Sequence, residues 1–228
     1  MTVKPNRRSL LLPAVAAHLD QLGEGRARGV TPIAHREMAE ALGGWIARNR
    51  EAGKDSPVIV VCTGNSRRSI LGATMGNIAT ASVGLPDIRM FSGGTEPSAF
   101  NPRTIAALEA IGVVIEPTGE QAPSGRSGLP NPVYRVRWGT VPGNPETEAI
   151  EFSKRYDDAS NPRSGFAALM VCDEAADECP VVPGAALRVS IPFADPKEAD
   201  GSPVESLRYA ERRDELARWM LHALTRVL

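Results

Sequence analysis

The chain has 228 residues and a mass of 24.3 kDa, enough to bury a substantial core without disulfide staples. Hydrophobic residues make up 42% and charged residues 23%, with no apolar run long enough to span a membrane. Basic side chains (26) nearly cancel acidic ones (27), so no global field recruits nucleic acid or an anionic membrane, and any anion has to be held by a local site.

Ser9 as an N-cap, followed by Leu11, Val15, Leu19 and Leu22, predicts a first helix over 9–23, with Pro13 tolerated in its first turn. The early Pro13 and Asp20 do not fit a cleavable signal. Three cysteines are too few, and odd in number, for a secreted framework, so a cytoplasmic protein with working or buried thiols is expected. Thr31 and Pro32 open a second helix, with Met38, Leu42, Trp45 and Ile46 on one face and Gly53 past its end. Residues 1–56 read as a helical extension of a domain at 57–228.

Residues 58–61, all Val or Ile, are too short for a buried helix and predict a central parallel strand ending at Cys62. After a loop, Leu71, Met75, Ile78 and Ala79 give a helical face, and a second strand follows over 88–92. Asn101 and Pro102 start a helix through Ile105, Leu108 and Ile111, closed by Gly112. Residues 116–165, punctuated by Pro, Gly, Asn and Ser, read as an insertion in which 133–138 alternates like half of a hairpin. Its Arg135, Arg137, Lys154 and Arg155 either line an anion entrance or, the simpler expectation, form a solvated hairpin face. A third strand is predicted over 167–172 and a fourth over 187–191. A capping box, Ser202-Pro203-Val204-Glu205, opens a last helix running to Leu228. This order predicts an α/β fold, a four-stranded parallel sheet with helices on both faces and right-handed crossovers.

Cys62-Thr63-Gly64-Asn65-Ser66-Arg67-Arg68-Ser69 falls where the first strand turns into a helix, beyond the carboxyl end of the sheet. Successive backbone N–H groups there, with a helix N-terminus behind them, make a cradle for a tetrahedral oxyanion. Arg68 supplies a bidentate fork, and this positive setting favours a Cys62 thiolate to which Ser69 can donate. Arg67 either joins the anion or, the simpler expectation, points into water. His18, His35 and His222 have no partners at metal-ligand spacing, so neither a metal nor a cofactor is expected.

The octad resembles the phosphate-binding loop of the low-molecular-weight protein tyrosine phosphatases and of their relatives, the thioredoxin-coupled arsenate reductases. The likeness continues through Ser92-Gly93-Gly94-Thr95-Glu96-Pro97, Asn101-Pro102-Arg103, Cys172-Asp173-Glu174-Ala175-Ala176-Asp177-Glu178-Cys179-Pro180 and Asp195-Pro196, covering 57–115 and 166–228. It implies Cys62 as nucleophile, Arg68 as anion clamp and Asp195 as general acid. It also implies that Cys172 and Cys179 stand where the reductases keep the rest of a three-thiol relay. In that relay Cys172 attacks the arsenic-bearing Cys62 to expel arsenite, Cys179 attacks Cys172, and thioredoxin reduces the resulting disulfide. The expectation is therefore an arsenate reductase with thioredoxin as partner, the alternative being a phosphomonoester hydrolase using the same nucleophile. Arg67 stands where such reductases usually carry a cysteine, and Ala73 where some carry a carboxylate that helps hold potassium. Lys197-Glu198-Ala199 replaces the aromatic residues of phosphotyrosine-acting relatives, which leans away from that substrate.

Overall fold

The computed structural model describes residues 10–24, 33–125, 128–172 and 181–228. In chain order the elements are α1 (Pro13–Glu24), α2 (Ile33–Glu51), β1 (Val58–Cys62), α3 (Arg68–Ser82), β2 (Met90–Gly94), α4 (Pro102–Glu109), β3 (Val114–Gln121), β4 (Pro132–Arg137), β5 (Glu148–Glu151), β6 (Phe166–Met170), β7 (Ala185–Ser190) and α5 (Glu205–Leu224). The expected caps Ser9, Thr31 and Pro32 lie outside the described residues, as does Cys179.

Continuous apolar runs have no polar face to offer water, so β1 and β6 are buried along their whole length and occupy the middle of the sheet. The sheet is parallel throughout, in the order β2-β1-β6-β7. Cys62 closes β1 opposite Gly94 of β2. Strand order reverses at β1, because β2 lies on one side of it and β6 and β7 on the other, and such a reversal opens a crevice at the strands' carboxyl ends. Helices flank the sheet: α3 packs on β1 and β2, α5 on α3, and α2 on α5 and β7. Asn101 caps α4, its side chain accepting from the Arg103 N–H, with Pro102 at the first position as the sequence reads.

Three expectations need correction. Residues 116–165 hold more than half a hairpin: β3, β4 and β5 form a separate antiparallel sheet with the expected strand, β4, at its centre. β3 escapes periodicity because it is exposed along most of its length, contains Pro117 and Gly119, and is irregular between Pro117 and Gln121. Lys154 is not on a solvated face, being 5% exposed and paired with the equally buried Glu151 at 3.4 Å. Burial follows because its stretch of chain adds to the edge of β2: Gly94 N–H donates to the Lys154 carbonyl (2.9 Å) and Tyr156 N–H to the Gly94 carbonyl (3.1 Å). The last helix lacks the expected capping box and ends at Leu224: the Ser202 hydroxyl makes no bond among the described residues, and the Glu205 carboxylate accepts instead from Gly201 N–H (2.5 Å).

Candidate active site

The loop between β1 and α3 is held from outside through its carbonyl oxygens. Cys62 O accepts from Thr95 N–H (3.1 Å), Thr63 O from Glu96 N–H (2.9 Å), and Ser66 O from Asn101 N–H (3.2 Å) and the Thr104 hydroxyl (3.1 Å). Gly64 O accepts from Ser98 N–H (3.0 Å) and from the hydroxyls of Ser98 (3.1 Å) and Ser153 (3.0 Å). Among the described residues, the backbone N–H groups of Gly64, Asn65, Ser66 and Arg67 donate to no protein acceptor. A turn whose carbonyls are bonded outward and whose amides are left over has donors to offer an anion.

Asn65 takes the left-handed backbone region (φ 39°), which asparagine tolerates better than most residues. The sequence places it among the oxyanion-binding residues, yet its buried side chain is a strut. It donates to the Ser69 hydroxyl (2.8 Å) and accepts from Lys154 N–H (2.7 Å). Ser69 Oγ lies 3.1 Å from Cys62 Sγ. Since that oxygen already accepts from Asn65, its own hydrogen is available for the sulfur. The Ser66 hydroxyl likewise turns outward, to the Ala99 carbonyl (2.5 Å).

Arg68 is 8% exposed and donates to the Phe193 carbonyl (3.0 Å) and to Asp195 Oδ2 (2.8 Å). The other Asp195 oxygen accepts from Lys197 N–H (3.0 Å) at the start of a short 3-10 turn, Pro196–Ala199. Arg68 thereby ties the loop to the candidate acid. Arg67 neither points into water nor turns its guanidinium to the cradle: it donates to the Tyr209 hydroxyl (2.7 Å) and to Asp200 (3.0 Å). Burial pushes the Tyr209 hydroxyl up to about 12, Asp200 adding to the rise and Arg67 opposing it, so this phenol stays protonated as a donor to Asp200 (2.8 Å).

Cys172, fully buried just past β6, has its sulfur 3.7 Å from the Thr63 hydroxyl. Cys62, Arg68, Ser69, Asp195 and Cys172 are thus gathered around one loop, while the side chains of Asn65, Ser66 and Arg67 belong to its scaffold. Sequence reasoning missed Ser153, Lys154, Tyr209 and Asp200. The only local signal was Asn65 itself, a residue suited to positive φ in a loop that needs one. Among the described residues no three His, Cys, Asp or Glu side chains converge on a metal position, and Ala73, buried in α3, has no side-chain oxygen. Nor is any described helix long and apolar enough to cross a membrane.

No protein-family model matches the chain, and no curated protein matches it in sequence. Solved structures similar to it include two phosphatases. The solution structure of a low molecular weight protein tyrosine phosphatase from Bacillus subtilis aligns with a TM-score of 0.46 at 14% identity, over 75% of this chain and 95% of that one. The crystal structure of a low molecular weight phosphotyrosine phosphatase from Vibrio cholerae O395 aligns with a TM-score of 0.42 at 16% identity, over 74% and 94%.

Proposed function

We propose that this protein hydrolyses phosphate monoesters through a phosphocysteine at Cys62. The observation that carries the reading is the loop with its carbonyls bonded outward and four amides left over, bounded by a thiol at one end and an arginine at the other. In the proposed reaction the amides and Arg68 take the non-bridging oxygens, and the Cys62 sulfur attacks phosphorus as the bond to the leaving oxygen breaks. A dianion that engages Arg68 displaces Asp195 from it, and the released carboxylate, once it has taken a proton from solvent, delivers that proton to the leaving oxygen. Water then attacks the phosphocysteine, giving its proton to Asp195 and releasing phosphate and the thiolate. Ser69 stabilises the sulfur as it leaves.

Arsenate reduction is the second reading, favoured by the position of Cys172 beside Thr63. It shares the first attack. Cys172 would then attack the Cys62 sulfur, forming a disulfide while the S–As electron pair leaves with arsenite, and Cys179 and thioredoxin would restore the thiols. Hydrolysis takes precedence because Cys62, Ser69, Arg68 and Asp195 with the loop amides suffice for it, with neither a thiol relay nor an external reductant.

A paired assay separates the two: hydrolysis of an aryl phosphate against arsenate-dependent NADPH consumption with thioredoxin and its reductase. The hydrolase reading expects ester turnover that Cys62→Ser abolishes and Cys172→Ser retains. Arsenate turnover that Cys172→Ser abolishes, without ester turnover, replaces it with the reductase.

A further inference from the structure

The inserted segment reaches the loop at two adjacent positions. The Ser153 hydroxyl donates to Gly64 O (3.0 Å), and Lys154 N–H donates to Asn65 Oδ1 (2.7 Å). These fix the peptide of Gly64 and the side chain of the residue with positive φ, the two features that turn the loop's amides inward. Ser153 is itself clamped by buried Asn131 at the start of β4. Asn131 Nδ2 donates to Ser153 O (2.7 Å) and to Pro123 O (3.0 Å), and its Oδ1 accepts from Ser153 N–H (3.1 Å). Two strands of the second sheet, β4 and β5, thus lead straight to the stretch that braces the cradle.

We infer that Ser153 and Asn131 are positioning residues for the oxyanion site, so that the inserted sheet is a working part of that site. The inference rests on the reading of the loop as an anion cradle. Without the Ser153 hydroxyl the Gly64 peptide keeps its bonds from Ser98 but loses its tie to the insertion, and the amides lose their convergence. Arginine and thiol are untouched. The effect belongs to anion affinity, the quantity that preorganised donors set.

The test measures phosphate affinity by thermal-shift titration, aryl-phosphate kcat and KM, and the urea midpoint without anion, on the full chain. Ser153→Ala should weaken phosphate binding about 5- to 10-fold, as the loss of one well-placed hydrogen bond does. Ser153→Thr, which keeps the hydroxyl, should restore it. Thr118→Ala removes a bond from β3 to the Val133 carbonyl and so perturbs the same sheet away from the loop; it should lower the urea midpoint yet leave phosphate affinity unchanged. Asn131→Ala carries the test one bond further out and serves if Ser153→Ala does not fold. Wild-type phosphate affinity in both Ser153→Ala and Asn131→Ala, or an equal loss in Thr118→Ala, overturns the inference. A wild-type protein that phosphate does not protect overturns the cradle reading beneath it, and the inference falls with it.

Discussion

Arg68 does two jobs with one guanidinium: it holds Asp195 and, on the proposed mechanism, the substrate oxygens. Lysine offers a point charge and three mobile donors where a planar fork is needed. Arg68→Lys should therefore abolish most of the phosphate-induced rise in melting temperature while leaving the anion-free melt close to wild type. Full protection in that variant would locate the anion elsewhere. Gly94 makes the second residue-scale case. A Cβ there would stand 2.5 Å from Thr63 O and 2.8 Å from Asn65 N, both main-chain atoms of the loop with no freedom to step aside. Gly94→Ala should displace the loop, costing at least 10-fold in ester turnover with a smaller loss in urea stability. Turnover within twofold of wild type would mean that the loop geometry is not limiting. Cys62, Arg68 and Ser69 were legible because strand, polar turn and helix succeed one another within a dozen positions, whereas Asp195 and Cys172 were reached only through the family resemblance. The braces were not legible, since Ser153 lies 89 residues from Gly64 and owes its role to how two sheets meet.

Among the elements, the parallel strands and α3, α4 and α5 could be read because apolar runs and a 3.6-residue period are local signals. Boundaries moved by a few residues. β3 could not be read, since its stability comes from pairing with β4 and most of its own side chains face water. Tertiary pairs between helices are equally silent in sequence, and one bears on pH. α1 is clasped to α5 by His18 Nε2 and Asp214 Oδ1 at 2.8 Å, with Arg213 Nε also 2.8 Å from that oxygen. Burial pushes the Asp214 carboxyl up, but the bonds from His18 and Arg213 outweigh it and hold the group below its ordinary value of 3.8. A folded carboxyl that releases its proton more readily than an unfolded one stabilises the fold at pH values above 3.8, and this contribution is lost as pH falls through and below that value. Asp214→Asn should cost about 1.5–3 kcal/mol at neutral pH. It should also flatten the decline in the urea midpoint below about pH 4. An acid decline as steep as in wild type would assign it to other carboxylates.

At the scale of the whole molecule the question is what the first fifty-six residues contribute. Leu11, Val15, Leu19, Leu22, Leu42 and Ile46 are all at most 5% exposed and belong to the same hydrophobic cluster as β1 and β6. The Trp219 indole of α5 donates to the His35 carbonyl of α2 (2.8 Å), and α2 also packs on β7, the strand that leads to Asp195. Each such aliphatic side chain is worth about 1.5–3 kcal/mol when buried. Together they match the roughly 5–15 kcal/mol by which a whole domain is stable. A chain beginning at Pro57 would expose the inner face of α5 and one edge of the sheet to water. It should lose its cooperative urea transition, and phosphate should no longer raise its melting temperature, because Asp195 and Phe193 hold Arg68 from the segment that α2 supports. A fragment that melts in one sharp step and is protected by phosphate as strongly as the full chain would show that the site stands without the two leading helices, and would send the search for their role to the outer surface of α2.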